Sequence, residues 1–153
     1  MTNLNQKEKK EGQLLDHNIQ IGKDVLELVT SAMYTSPLTI YREYIQNSSD
    51  AIESAEEQKI FKNLNSGRIN ININNNERII TIKDNGTGIS KDKFSKILTS
   101  FGNSPKRGTK ARGFRGIGRL AGLAYCQELV FRSTSVKDNT ISEISWDCKK
   151  LKE

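Results

Sequence analysis

The chain alternates between segments whose apolar residues have helical spacing and short segments in which every second residue is apolar. Apolar side chains at positions 21, 25, 28, 29 and 32 have the spacing of an amphipathic helix. We therefore predict a first helix over Ile21–Ala32, closed by Pro37. A second, longer helix is predicted from Thr39 to Lys59, with Thr39 as its N-terminal cap.

The next two segments predict a β-hairpin. Isoleucine occupies every second position of Arg68–Ile73, and again positions 80 and 82, with the turn-forming run Asn74–Asn76 after the first strand. Two further strands are predicted near Glu128–Ser133 and Thr140–Trp146. These two strands are the last predicted elements of the chain.

Helices and a long loop separate the hairpin from these last strands. A short helix is predicted over Lys91–Leu98, followed by a glycine-rich and basic loop over Thr99–Arg115 and a helix over Gly116–Ala124. The order of elements predicts an α+β protein, a two-layer α/β sandwich with helices on one face of a mostly antiparallel sheet.

Length and composition are those of one domain. The chain has 153 residues, of which 35% are hydrophobic, and we expect a flexible polar leader over residues 1–18 and a single domain over 19–153. Because no run of 18 apolar residues occurs and the N-terminal residues lack a hydrophobic stretch, we expect a cytoplasmic protein without membrane contact. Cys126, Cys148 and the single histidine, His17, predict buried thiols rather than a disulfide framework or a zinc site.

The formal net charge of +6 is concentrated in two places. Lys7, Lys9 and Lys10 lie in the polar leader, where a solvated tail is expected. The second cluster is interleaved with glycines and comprises Lys106, Arg107, Lys110, Arg112, Arg115 and Arg119. Glycines that let main-chain N–H groups approach an anion, next to basic side chains, indicate a phosphate-facing loop. The net charge alone also fits nucleic acid or a solvated surface.

A polar stripe on the second predicted helix carries the first candidate chemistry. Glu43, Asn47, Asp50 and Ser54 lie within about 60° of one another around the helix. Alone, such a stripe is typical of the wet face of an amphipathic helix. The order Glu-x-x-x-Asn-x-x-Asp-Ala, however, resembles the N-box of the ATPases of the gyrase, heat-shock-chaperone, histidine-kinase and MutL (GHKL) superfamily.

That resemblance implies roles for three residues. Asn47 would bind Mg²⁺, because an amide oxygen can hold a hard cation without adding a full charge. Glu43, one turn away, would orient and deprotonate the water that attacks the γ-phosphate. Asp50 would contact ligand water, or it would cap or tether neighbouring backbone.

The second motif, Ile82–Ser90, follows the second hairpin strand. Its Asp-x-Gly-x-Gly pattern resembles the adenine-binding box of the superfamily, in which a carboxylate accepts a hydrogen bond from the exocyclic amine of adenine. Asp84 would be that acceptor, with Gly86, Gly88 and Ile89 shaping the turn beside the base. By itself, Asp-Asn-Gly after a strand is typical of a simple turn.

The third motif is the glycine-rich string within Thr99–Gly122. The residues that would face the triphosphate are Gly113, Phe114, Arg115, Gly116, Ile117 and Gly118. The loop Phe101–Arg112 resembles the ATP lid of the superfamily, with Lys106 or Arg107 as a phosphate contact. Ser100–Gly102 with Lys106 resembles the MORC-type and chaperone-type branches, and no Gly-Lys-Ser/Thr of a Walker motif occurs.

The resemblance spans Glu43 to Gly118, about half of the chain, and implies a domain that binds ATP and ADP with Mg²⁺ and hydrolyses ATP. In such a clamp, ATP closes the lid and promotes homodimerisation, for which Tyr34 and the leader are candidate exchange segments. The N-box form favours the gyrase, chaperone, MutL and MORC branches over the histidine kinases. A kinase would also need a phosphoacceptor histidine in a dimerising helix, and His17 lacks that setting.

Several alternatives remain. The chain could be a regulatory module that binds nucleotide without turnover, a sensor-kinase domain, or a nucleic-acid-binding domain that uses its basic loop.

The resemblance also implies a later threonine beneath the adenine and further strands that complete the sheet, but only about 30 residues follow Gly122. Thr134 lies early for that role, and Thr140 is a candidate. We therefore expect the chain to be the N-terminal part of a longer protein, in which nucleic acid would be bound through other domains.

Overall fold

The computed structural model describes residues 13–14, 36–63, 65–99, 118–136, 138 and 140–150. Its elements, in chain order, are β1 (Gln13–Leu14), α1 (Leu38–Glu57), β2 (Ile69–Asn74), β3 (Ile79–Asp84), α2 (Lys91–Thr99), a 3₁₀ helix (Gly118–Ala124), β4 (Glu128–Ser133) and β5 (Ser142–Asp147). The predicted helix Ile21–Ala32, most of the leader and the loop 100–117 lie outside the described residues. The predicted α+β architecture is confirmed.

The described strands form two small sheets. β2 and β3 pair antiparallel as the predicted hairpin, with Ile71 opposite Ile82 and Ile73 opposite Ile80. β4 and β5 pair antiparallel, and β1 joins β5 in parallel to give the order β1-β5-β4. β4 has the predicted bounds, and β5 begins two residues later than predicted.

The hydrophobic core lies where α2 and the 3₁₀ helix pack on the inner face of β4 and β5. On that face Leu129 is opposite Trp146, and Phe131 is opposite Ile144. The ring of Phe131 meets the ring of Trp146 edge-on at a centroid distance of 5.4 Å. The buried members of the cluster are Phe94, Leu98, Leu120, Leu123, Leu129, Ile144, Trp146 and Cys148. Cys148 is thus a buried free thiol as predicted, whereas the free thiol Cys126 is only half-buried.

Helix α1 begins one residue before its predicted start, so the prediction that Thr39 caps it is wrong. Pro37 occupies the N-cap position with φ −55° and makes no side-chain capping bond. Because the ring of proline already holds φ near the helical value, the helix can start directly after it. Thr39 consequently lies inside the first turn, where its backbone N–H donates to the Ser36 carbonyl at 3.0 Å.

The segment predicted as a helix over Gly116–Ala124 is, in the described residues, a 3₁₀ helix over Gly118–Ala124. The Tyr44 hydroxyl binds this segment, because it donates to the Arg119 carbonyl and accepts from the Gly122 N–H, both at 3.0 Å. Two glycines in the segment lower its α-helical propensity.

Candidate functional site

Glu43 and Gly118, which are 75 positions apart in sequence, are in contact. Glu43 lies in the second turn of α1 and is only 8% exposed. Gly118 begins the 3₁₀ helix and is buried, and a Cβ added there would collide with the Glu43 carboxylate. A side chain at position 118 would therefore displace the Glu43 carboxylate, and the predicted first and third motifs meet at this point.

Tyr44, the next residue on α1, holds the two segments together. Its hydroxyl bridges the Arg119 carbonyl and the Gly122 N–H, as described above. Its ring also meets Phe131 edge-on at a centroid distance of 6.1 Å. Desolvation raises the pKa of the Tyr44 hydroxyl, although the bond from Gly122 opposes that shift. The hydroxyl therefore stays neutral and can donate and accept at once.

The second motif lies against the middle of the same helix. The Thr87 N–H donates to the Ala51 carbonyl at 3.1 Å, which joins the turn after β3 to α1. A Cβ at Gly86 would lie 2.5 Å from the Ala51 carbonyl carbon and 2.7 Å from its Cβ. A residue with a side chain would push the turn away from the helix, so Gly86 sets this close approach.

Asp84 ends β3 and is half-buried. Its Oδ1 accepts the Gly86 N–H at 2.9 Å, so that the carboxylate stabilises its own turn. Among the described residues, no hydrogen bond engages its Oδ2. One oxygen thus fixes the orientation of the carboxylate, while the other is available as an acceptor.

Farther along the same turn, Gly88 and Ile89 contact the end of β4. Gly88 has φ +64°, and a Cβ there would collide with the Thr134 carbonyl. The Ile89 N–H donates to Ser133 Oγ at 2.8 Å, and the side chain of Ile89 packs on the hydrophobic core. The Thr134 hydroxyl is directed to the Asp138 carbonyl at 3.4 Å. These contacts hold the second motif between α1 and β4.

Asn47 and Asp50 lie on α1 between Glu43 and Ala51, and both are half-buried. Asp50 Oδ1 accepts from Gln46 Nε2 at 2.9 Å, which tethers the carboxylate along its own helix. No group of three or more His, Cys, Asp or Glu side chains that could hold a metal occurs in the described part of the chain.

Arg119 is the basic residue of the glycine-rich segment that the structure describes. Its Nε donates to the Leu98 carbonyl at 3.4 Å, and desolvation lowers the pKa of its guanidinium. The other predicted site residues of this segment lie outside the described residues: Lys106, Arg107, Gly113, Phe114, Arg115, Gly116 and Ile117. Their predicted phosphate contacts stay predictions.

Three residues that position the site were not singled out from the sequence: Tyr44 as a clamp, Ala51 as the surface for Gly86, and Ser133 as the acceptor for Ile89. A small residue next to Asp50 was a usable signal for close packing, whereas the 75-residue separation of Tyr44 from Arg119 left no local pattern.

None of the helices that the structure describes is both long and apolar enough to cross a membrane.

Comparison with known proteins gives consistent matches. Residues 34–153 match the family described as "Histidine kinase-, DNA gyrase B-, and HSP90-like ATPase". Chaperone protein HtpG of Buchnera aphidicola subsp. Cinara cedri is 33% identical over 95 residues, which cover 58% of this chain and 15% of that protein. Chaperone protein HtpG of Idiomarina loihiensis is 24% identical over 156 residues, covering 88% of this chain and 24% of that protein.

The chain spans about a quarter or less of the length of these curated relatives. The family match, in contrast, covers most of the chain and includes all three motifs. The described contacts among Glu43, Gly118, Gly86 and Ala51 agree with it, because they bring those motifs to one helix. The chain therefore belongs to the histidine kinase-, DNA gyrase B- and HSP90-like ATPase family.

Proposed function

We propose that this domain binds ATP together with Mg²⁺ along helix α1 and hydrolyses it slowly, and that ATP closes a lid and promotes N-terminal dimerisation of a larger clamp. One observation carries the proposal: the second motif packs on α1 at Ala51, and the third packs on the same helix at Glu43. Residues 19–153 would form most of the ATP-binding domain, and residues 1–18 would be a polar leader whose strand β1 pairs with β5.

The spacing along α1 suits a nucleoside triphosphate. Glu43 and Ala51 are eight residues apart, which corresponds to about 12 Å along a helix. Adenine would lie at the Ala51 end, next to Asp84 and Gly86. The γ-phosphate would lie at the Glu43 end, next to Gly118. Asn47, midway between them, would face the phosphates.

Asp84 would select adenine. Because Oδ1 is held by the Gly86 N–H, Oδ2 would accept the exocyclic amine of the base. Guanine presents a carbonyl oxygen at that position, so it would oppose the carboxylate and leave it unpaired. Gly88 and Ile89 would form the floor of the base site, fixed to β4 through Ser133.

Asn47 would bind the metal through its amide oxygen, and a bound Mg²⁺ supplies neutralisation of the triphosphate oxygens. Glu43 would orient the attacking water and take its proton, since its carboxylate sits beside the first residue of the 3₁₀ helix. The backbone of Gly118 and the preceding glycines would bind the γ-phosphate. Asp50 would contact ligand water while its tether to Gln46 holds its orientation.

Substitution of Asp84 by Asn tests the base site. The amide oxygen can still accept the Gly86 N–H, but the amide nitrogen then replaces Oδ2 and points a donor at the adenine amine. The loss of a charged hydrogen bond, about 3 kcal/mol, corresponds to an affinity about 100-fold lower for ATP. Titration calorimetry with ATP and GTP would measure it. Unchanged ATP affinity in a folded Asp84→Asn variant would contradict the assignment.

Glu43→Gln tests the hydrolytic role separately. The amide has the size of the carboxylate, so the contact with Gly118 persists while the base is lost. We expect ATP binding to persist and phosphate release to fall by about 100-fold or more. Hydrolysis at the wild-type rate in this variant would assign the reaction to another group. No hydrolysis in the wild-type domain, with binding intact, would make the domain a regulatory module.

A further inference from the structure

The outer edge of β2 has no strand partner in the described part of the chain, where β2 pairs with β3 alone. The six residues Ile69–Asn74 carry no charge and no proline. Side chains of Ile71 and Ile73 on this strand are 51% and 63% exposed. Natural edge strands are commonly protected by charge, proline or a bulge, and an uncharged β-branched edge favours pairing with another strand.

The register of the hairpin shows which backbone groups face outward. The Asn85 N–H donates to the Arg68 carbonyl at 3.3 Å, so positions 68 and 85 form a hydrogen-bonded pair. Antiparallel ladders alternate between bonded and non-bonded pairs, which makes Asn70, Asn72 and Asn74 the inward-bonded residues of β2. The N–H and C=O groups of Ile69, Ile71 and Ile73 consequently point away from β3.

From this edge we infer that β2 pairs antiparallel with β2 of a second copy of this chain, about a two-fold axis at Ile71, and that nucleotide is not required. In that register Ile71 lies opposite Ile71, and Ile69 lies opposite Ile73 of the other copy. Isoleucines therefore meet isoleucines and asparagines meet asparagines, as an isologous contact requires. About six main-chain hydrogen bonds would form between the outward-facing groups.

Charges at the two ends of the strand fit the same register. Arg68 would lie opposite Asn74 of the second copy. Asn74 Nδ2 donates to Glu77 Oε2 at 2.8 Å, so the Glu77 carboxylate is held beside that asparagine. Each end of the paired strands would then bring one arginine near one glutamate. In the described hairpin, the edge of β3 that faces away from β2 is less suited to self-pairing, because β3 carries Lys83 and Asp84.

Variants at Ile71 test the pairing directly. Ile71→Pro removes an outward N–H without removing a hairpin bond, and Ile71→Lys adds charge to the edge. Thr81→Lys adds the same charge to an exposed position on β3 and serves as the control. Analytical ultracentrifugation of the full chain without nucleotide should show a dimer for the wild type and Thr81→Lys, and a monomer for both Ile71 variants.

A charge exchange tests the register. Arg68→Glu and Glu77→Arg should each weaken the dimer about tenfold, since two ion pairs are affected by symmetry, and the double variant should restore it. Residue-resolved amide exchange gives an independent readout: the N–H groups of Ile69, Ile71 and Ile73 should become protected as concentration rises.

Three results would overturn the inference: a wild-type monomer at all concentrations, a dimer that survives in Ile71→Lys, or fast exchange of those three amides in the dimer. Ile71→Lys decides the matter even if the proline variant does not fold. The nucleotide-free dimer does not depend on ATP binding, so the absence of the dimer would leave the proposed ATP site intact.

Discussion

Replacing Tyr44 with phenylalanine removes one oxygen atom from the contact between α1 and the 3₁₀ helix. That hydroxyl accepts the Gly122 N–H and donates to the Arg119 carbonyl, each at 3.0 Å. Tyr44→Phe keeps the ring contact with Phe131 but leaves two backbone groups without this partner. An enclosed polar group that loses its hydrogen bond costs about 1–3 kcal/mol. We therefore expect the free energy of unfolding to fall by about 2–4 kcal/mol for the two groups together.

Urea unfolding followed by circular dichroism would measure this loss. Tyr41→Phe is a matched control on the same helix, since no hydrogen bond of the Tyr41 hydroxyl occurs among the described residues. It should change the free energy of unfolding by less than about 0.5 kcal/mol. ATP affinity should also fall in Tyr44→Phe, because Gly118 would no longer be held against Glu43. Equal stabilities of the two variants would refute the claim that the Tyr44 hydroxyl stabilises the contact between α1 and the 3₁₀ helix.

Three further predictions follow from particular contacts. Gly88→Ala should destabilise the domain by more than about 1 kcal/mol in urea unfolding, because alanine is strained at φ +64° and its Cβ meets the Thr134 carbonyl; wild-type stability would contradict that geometry. Phe94→Ala should lower the free energy of unfolding by about 3–5 kcal/mol, since Phe94 is 1% exposed in the core; a loss below 1 kcal/mol would place Phe94 outside the core. The Lys150 and Lys149 N–H groups hold the pKa of the Asp147 carboxyl below its ordinary value, so its stabilisation is present above that ordinary pKa and is lost as pH falls through the lower folded-state pKa. The stability difference between wild type and Asp147→Asn should accordingly shrink as unfolding experiments go below the ordinary pKa of an aspartate, and a constant difference would exclude a contribution from this carboxylate.

Local patterns predicted the elements well where one period dominates. The alternation of isoleucine in β2 and β3 predicted the hairpin, and the register places those isoleucines opposite one another. Helix α1 was predicted within two residues at each end. The apolar spacing of Gly118–Ala124 predicted a helix but did not distinguish a 3₁₀ helix from an α-helix.

The site was predicted from motif order, and contacts between motifs were not readable from sequence. Glu43, Asn47, Asp84 and Gly118 were predicted as site residues from their spacing and from the resemblance to one family. The sequence could not show that Gly86 packs on Ala51 or that Gly118 packs on Glu43, since each contact depends on how closely two segments distant in sequence approach each other in the fold. The approach of Gly86 to the backbone of Ala51 explains why glycine is required at position 86.

The most direct test of the proposed function is calorimetric titration of the full chain with a non-hydrolysable ATP analogue, with and without Mg²⁺. We expect saturable binding of one analogue per chain, stronger with Mg²⁺, and loss of that Mg²⁺ dependence in Asn47→Ala. A folded wild-type chain that binds no analogue under either condition would contradict the central claim that α1 carries an ATP–Mg²⁺ site.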